Sequence, residues 1–357
     1  MPLIAHSELP TFARLAQEGH DVLRPQRAAA QDIRELHIGL LNMMPDAALQ
    51  ATERQFLRLV TSCNRIAQFY VHPISVPGLP REGAAADYVA RYYEPLEKIQ
   101  AEGLDALIIT GANPVHPDIR DEPYWDALYG IMRWAGEHVT STVCSCLATH
   151  AHIAQTHGVE RVPLAVKQWG VYSHRVVTAD HPLTANINTR FDAPHSRWND
   201  APREALEAAG IRVLAESEEA GVHLAVSGDG VRWIYFQGHP EYDRQSLLKE
   251  YKREVNRYID GTNTEFPPPP QHYFTAETRT LLKHYRAAVE AALKSAAQMP
   301  EFAEGDFIAS LENTWTDTGK SLFNNWLGMV YQLTGKNRHE PFMCTIDPAA
   351  PLGSVSA

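Results

Sequence analysis

The stretch Val139-Thr140-Ser141-Thr142-Val143-Cys144-Ser145-Cys146-Leu147-Ala148 passes from an apolar β-type run straight into a helical pattern, with no loop residues between. A strand that becomes a helix on a single residue confines the chain to an α/β arrangement, in which buried strands are covered by helices. The residue at the turn is Cys146. Such a nucleophile elbow lifts its side chain above the strand end, where the following backbone N–H groups and the helix N-terminus face the same space. A thiol placed there is helped toward the thiolate.

The same alternation continues on both sides. Leu36–Leu41, Gln68–Val71 and Ala106–Thr110 read as strands, and apolar spacing of three and four predicts helices through Thr52–Val60, Asp87–Tyr93 and 123–137. This order predicts an α/β fold: a doubly wound, mostly parallel sheet with flanking helices, whose sites gather at the carboxyl ends of strands. Gly111 and Cys146 both fall at such ends. Further on, 212–215, 222–226 and 233–236 read as strands, the last two joined by the hairpin turn Ser227-Gly228-Asp229-Gly230. A helix is expected from Asp243, as its cap, to Tyr258.

The run Pro267–Pro270 is a linker or brace. It precedes an amphipathic helix over 276–297, with Leu281, Leu282, Tyr285, Ala288 and Val289 on one side, which suits packing on the main domain or on a twin subunit. Another helix opens in Thr314–Leu327. The expected organisation is an N-terminal extension (1–34) packing on an α/β core (35–262), then a Pro-rich linker with added C-terminal helices (263–340), and a flexible tail (341–357).

Composition narrows the partners. A formal charge of −11 leaves no basic footprint for nucleic acid or an anionic membrane surface. Four cysteines in 357 residues (Cys63, Cys144, Cys146, Cys344) make no disulfide framework, and the N-terminus has no signal-peptide core. No apolar run approaches the length of about eighteen residues that spans a bilayer, so a soluble, cytoplasmic protein of a reducing compartment is expected. No metal is expected either, because Cys144-x-Cys146 has no second ligand pair. Cys144 reads as a core residue, with a resolving thiol as the alternative.

Candidate chemistry centres on Cys146. The segment Tyr235-Phe236-Gln237-Gly238-His239-Pro240-Glu241 is a second strand that ends in a histidine with a carboxylate two residues on. Nucleophile, base and base-orienting acid are thereby all present. His150 and His152, on the helix after Cys146, and His195 in Ala193-Pro194-His195-Ser196-Arg197 are competing bases.

The chain resembles the homoserine O-acyltransferase (homoserine transsuccinylase) family, relatives of the class I glutamine amidotransferase fold. The resemblance rests on Leu41-Asn42-Met43-Met44-Pro45, Gln55–Leu59, Ile109-Thr110-Gly111-Ala112, Tyr124-Trp125, Ser141–Cys146, Gly170-Val171-Tyr172, Ala193–Arg197, Gly238–Asp243, and Asn324 with Trp326-Leu327, collinear over roughly 35 to 335. It implies Cys146 as acyl-thioester nucleophile, His239 as proton acceptor and Glu241 as its partner. It also implies an amino-acid site containing Lys167, Ser196 and Arg253. Backbone groups of Leu147, Gly111 and Ala112 would hold the oxyanion.

The implied reaction is ping-pong acyl transfer from acyl-CoA, a substrate rather than a cofactor, to the γ-hydroxyl of L-homoserine, toward methionine; the implied assembly is a homodimer. Val115 stands where family members carry a glycine or a glutamate that goes with succinyl or acetyl transfer. Losing the glutamate charge favours succinyl-CoA, and His116 beside it can attract a carboxylate. Acetyl transfer, serine as acceptor and a glutamine amidotransferase-like hydrolase remain alternatives. A further departure is Asp46–Gln50 after Pro45, where the family commonly has a lysine.

Overall fold

The computed structural model describes residues 3–63, 67–335, 337–339, 347 and 351–352; Cys344 and most of the expected 341–357 tail lie outside them. Eleven strands form one sheet: β1 (Leu3–Ile4), β2 (Val22–Leu23), β3 (Glu35–Leu41), β4 (Gln68–Ile74), β5 (Ala106–Ile109), β6 (Ser141–Ser145), β7 (Val162–Val176), β8 (Arg190–Asp200), β9 (Arg212–Ser217), β10 (Gly221–Val226) and β11 (Trp233–Phe236). Their order is β2-β1-β4-β3-β5-β6-β11-β10-β9-β7-β8. Pairing is parallel from β2 through to β11 and antiparallel from β11 to β8.

Central strands are buried on both faces, and their residues alternate between two apolar clusters. Ile38, Ile108, Val143, Ile234 and Phe236 join one; Leu41, Leu107, Ile109, Cys144 and Tyr235 join the other. That period of two explains why β5 and β6 read as continuous apolar runs. The first cluster also takes Leu322, Phe323, Trp326 and Val330 from the C-terminal helix Thr316–Leu333, which therefore covers the sheet itself. A third cluster gathers Trp169, Leu248, Tyr251, Phe274, Leu282 and Val289 beneath β7.

Three details differ from expectation. Residues 1–34 insert β1 and β2 into the sheet edge besides packing on it. The helix Ser246–Ile259 starts after Asp243 with Gln245 as its cap, because Asp243 pairs instead with Arg54 (3.0 Å) and Arg58 of the facing helix Leu49–Thr61. Two guanidinium charges outcompete one cap bond. In the helix Ala276–Ser295, Leu282, Val289 and Ala292 are buried, whereas Leu281 is exposed. Just beyond the proline run, Gln271 exchanges backbone hydrogen bonds with Trp169 (2.8 Å) and Val171 (2.9 Å) of β7. No helix among the described residues is long and apolar enough to cross a membrane.

Candidate active site

Cys146 has φ 52° and ψ −109°, a conformation an L-residue holds only when its surroundings fix it. The fixing bonds come from the neighbouring strand. Cys146 N–H donates to the Phe236 carbonyl (2.7 Å), and the Thr149 hydroxyl donates to the carbonyls of Cys144 (2.8 Å) and Phe236 (3.1 Å). Because β6 and β11 run parallel with Ser145 beside Phe236, the chain leaves β11 at the level of the elbow. Three residues later His239 arrives, held by its N–H to the Pro194 carbonyl (2.8 Å).

His239 Nδ1 donates to Glu241 Oε1 at 2.8 Å, both side chains being buried. That bond leaves Nε2, a buried atom with no protein hydrogen bond, free to serve the sulfur. Burial works against charge on the ring, but Glu241 and the adjacent Cys146 sulfur outweigh it and raise His239 to about 10. Gly238 is required here, because a Cβ would lie 2.6 Å from His223 Nδ1 and 2.7 Å from His195 Nε2. On the other side of the thiol, a Cβ on Gly111 would lie 3.5 Å from that of Cys146, so the Gly111 backbone borders the cysteine side chain. Leu147 opens the helix Leu147–His157, where an N–H has no helical acceptor. Ala112 packs on the apolar cluster below.

Of the competing bases, His195 and His152 are engaged elsewhere, and neither ring nitrogen of the buried His150 has a hydrogen-bond partner. His195 accepts from Arg197 at Nδ1 (3.3 Å) and shares its Nε2 with His174 Nε2 (3.1 Å). His152 meets the Tyr235 hydroxyl (3.0 Å) and stacks near Trp233. His150 is wholly buried, and burial pushes both it and His152 down to about 3. None of the three is paired with a carboxylate among the described residues. Cys144 is fully buried in the core, and burial drives its thiol far up.

Lys167 and Ser196 meet on a residue that sequence reading passed over, Glu250. Its Oε2 accepts from Ser196 Oγ (2.6 Å), Trp169 Nε1 (3.0 Å) and Lys167 Nζ (3.4 Å), and its Oε1 accepts from the Tyr242 hydroxyl (2.7 Å). Burial would neutralise Glu250, yet the Lys167 charge and the Ser196 and Tyr242 donors hold it below the ordinary carboxylate range. Burial lowers Lys167, which also sits 4.2 Å above the Trp169 ring. The Tyr242 ring stacks on His239 at 4.2 Å and so joins this polar cluster to the His239–Glu241 pair. Arg253 lies outside the hydrogen-bonded group: it is exposed, bonds to Glu254 (3.2 Å), and is near enough for its charge to act on Lys167. The three-residue spacing of Glu250 and Arg253 on one helix face was the available signal for Glu250.

Val115 is 81% exposed in a loop tied down by Glu122 Oε1, which accepts from the N–H groups of Val115 (2.6 Å) and His116 (2.7 Å). A basic group does reach the segment after Pro45. Arg81 donates to the carbonyls of Asn42 (2.9 Å) and Met44 (2.5 Å) and to Asp46 (3.1 Å). Behind the loop that carries His239 and Glu241, Trp315 Nε1 donates to the Tyr242 carbonyl (2.8 Å), and Gly319 lets the C-terminal helix press on Pro240, where a Cβ would be 2.8 Å from the carbonyl oxygen.

The family model for homoserine O-succinyltransferase matches residues 2–336. The chain is 58% identical over 353 residues to a homoserine O-succinyltransferase of Methylococcus capsulatus, covering 99% of each. It is 55% identical to one of Thiothrix nivea, covering 99% of this chain and 98% of that one. Among solved structures it is similar to a glutamine amidotransferase of Thermotoga maritima, with 13% identity and a TM-score of 0.44 over 83% of this chain and 97% of the other.

Proposed function

The chain belongs to the homoserine O-succinyltransferase family, and from that premise we propose that it transfers a succinyl group from succinyl-CoA to the γ-hydroxyl of L-homoserine through a Cys146 acyl-enzyme. The observation that carries the reading is a strained cysteine elbow set beside a buried histidine whose far nitrogen is oriented by a carboxylate.

In the first half-reaction His239 takes the thiol proton and the Cys146 sulfur attacks the thioester carbonyl. The oxyanion forms between the Leu147 N–H and the Gly111–Ala112 backbone. Collapse expels CoA thiolate, which His239 protonates, leaving a protein thioester. One thioester is exchanged for another, so the step is close to thermoneutral.

Acylation removes the sulfur charge that helps hold the proton on His239, which readies the ring to act as base. Homoserine then enters the polar cluster. Its ammonium suits Glu250 and Ser196, and its carboxylate suits Lys167 with Arg253. His239 Nε2 takes the hydroxyl proton as oxygen attacks, while Glu241 stabilises the imidazolium. The thiolate leaves and recovers that proton. The product, an activated alcohol, serves sulfur incorporation toward methionine; the working form in this reading is a cytoplasmic homodimer. The names of the relatives support succinyl-CoA over acetyl-CoA.

The test is steady-state CoA release with L-homoserine, comparing succinyl-CoA with acetyl-CoA and L-serine with homoserine, plus intact-protein mass spectrometry for the adduct. Succinyl preference, a succinyl adduct on Cys146 and a loss of at least about 10³-fold in Cys146→Ala are expected. Acyl transfer that survives Cys146→Ala at full rate would sink the mechanism, and preference for acetyl-CoA would overturn the donor.

A further inference from the structure

Far from the elbow along the chain, a histidine cluster at the edge of the sheet has a shortage of protons. His6 follows β1, His72 lies in β4, His37 in β3, and Glu94 precedes the helix Leu96–Glu102. His6 Nδ1 donates to the Ile4 carbonyl (3.1 Å), so in the neutral ring Nε2 carries a lone pair. That Nε2 is buried, makes no hydrogen bond, and faces Glu94 Oε1 at 3.6 Å. Two acceptors therefore face each other in a buried place. The next links repeat the problem. His72 Nδ1 must donate to Glu94 Oε1 (2.6 Å), so His72 Nε2 accepts from His37 Nδ1 (2.9 Å), and His37 Nε2 is left as a second buried orphan, 3.5 Å from Glu35 Oε2.

One cation resolves both orphans. With an ion on His6 Nε2, His72 Nδ1 and Glu94 Oε1, the His72 proton moves to Nε2 and donates to His37 Nδ1. The His37 proton then moves to Nε2 and points at Glu35. No proton is lost, and every imidazole N–H then faces an oxygen or nitrogen with a lone pair. Each ligating ring is oriented through its other nitrogen, by Ile4 and by His37, as the outer contacts of metal-binding histidines do. The three ligand atoms lie within 4.8 Å of one another. The contacts of 2.6 and 3.6 Å to Glu94 bracket the edge of about 3.3 Å that a tetrahedral centre with bonds of about 2.0–2.1 Å requires. Glu94 Oε2 keeps its own partner, Lys98 (2.8 Å).

We propose that His6, His72 and Glu94 form a binding site for a divalent transition-metal ion of the zinc class, with His37 as its positioning residue. Two imidazoles and one carboxylate suit zinc and its neighbours rather than magnesium or calcium, and leave one position open. The site lies apart from the Cys146 machinery and departs from the expectation of no metal. It ties the β1 end to β4 and to the 94 loop. The other histidine group, His174, His195 and His223, also holds one buried unpartnered nitrogen, His223 Nδ1, but it includes no carboxylate to balance an ion's charge. There Arg197 fixes the His195 proton on Nε2, which donates to His174 Nε2, while His174 Nδ1 donates to the Tyr172 carbonyl (2.8 Å).

The test strips the full-length protein with a chelator and titrates it with Co²⁺, a spectroscopic stand-in for zinc, followed by displacement with Zn²⁺. The expected result is one Co²⁺ per chain with visible ligand-field bands, lost in His6→Asn and in Glu94→Gln. His37→Ala should weaken binding by about 10- to 100-fold without abolishing it. Circular dichroism of each variant separates lost ligation from lost fold. Absence of stoichiometric uptake by the wild type overturns the proposal and leaves a proton between His6 and Glu94. Uptake that survives in folded His6→Asn and Glu94→Gln but disappears in His174→Ala overturns it in favour of the other cluster.

Discussion

In the proposed reaction Glu250 organises the amino-acid side of the site, although alone in the sequence it is one more acid on a charged helix. Four donors, two from β7, one from β8 and one from the loop at Tyr242, converge on its two oxygens. Its role separates from that of Cys146 because the first half-reaction contains no amino acid. Glu250→Gln keeps the shape and removes the charge, so the KM for homoserine should rise by at least about 10-fold, the size of one charge-assisted contact. The pre-steady-state burst of acyl-enzyme from succinyl-CoA alone should be unchanged. A burst that falls in parallel with turnover would mean that Glu250 supports His239 through Tyr242 rather than receiving substrate.

Among the elements, the C-terminal helix Thr316–Leu333 offers a controlled comparison within itself. Gly319 touches the Pro240 carbonyl, whereas a Cβ on Gly328 meets nothing within 4 Å. Gly328→Ala should stabilise the protein by about 0.5–1 kcal/mol through helix propensity. Gly319→Ala gains the same propensity but forces the 240–242 loop aside, and should lose about 1–3 kcal/mol together with kcat. Denaturant melts and turnover of the two variants check the pair; equal stabilisation of both would show that the helix does not bear on the loop. Elements of this kind differ in how clearly the sequence announces them. Strands β3, β5, β6 and β11 are buried on both faces, so their apolar runs stand out, and the two that deliver Cys146 and His239 were readable for that reason. The long β7 is exposed along much of its first half and contains Pro163 and Gly170, which hides a strand that brings Lys167 into place. β1 and β2 have two residues each and carry no periodicity. Glu250 and the Asp243 pairings depend on contacts across elements, which no local pattern encodes.

At the scale of the molecule, buried neutral histidines set the response to acid. Burial lowers His150 and His152 to about 3, and His174 and His181 to about 4. Unfolded, such rings titrate near 6.5. Above that value neither state is charged and the groups contribute nothing to the pH dependence. Below it the unfolded chain binds protons that the folded chain refuses, so stability falls as pH drops from about 6.5 toward 3. The midpoint of urea unfolding should decline steadily over pH 6.5 to 4.5, and a flat profile there would contradict the burial of these rings. The packing of Gly319 and Trp315 on Pro240 and Tyr242 also places the proposed site in time. Cys146, His239 and Glu241 emerge from the ribosome well before the helix that backs them. At about 5–20 residues per second, the interval from Glu241 to Thr316 lasts roughly 4 to 15 seconds. Through that window a nascent chain carries all three groups without the wall that backs their loop, so the proposed site is complete only once that helix has been made.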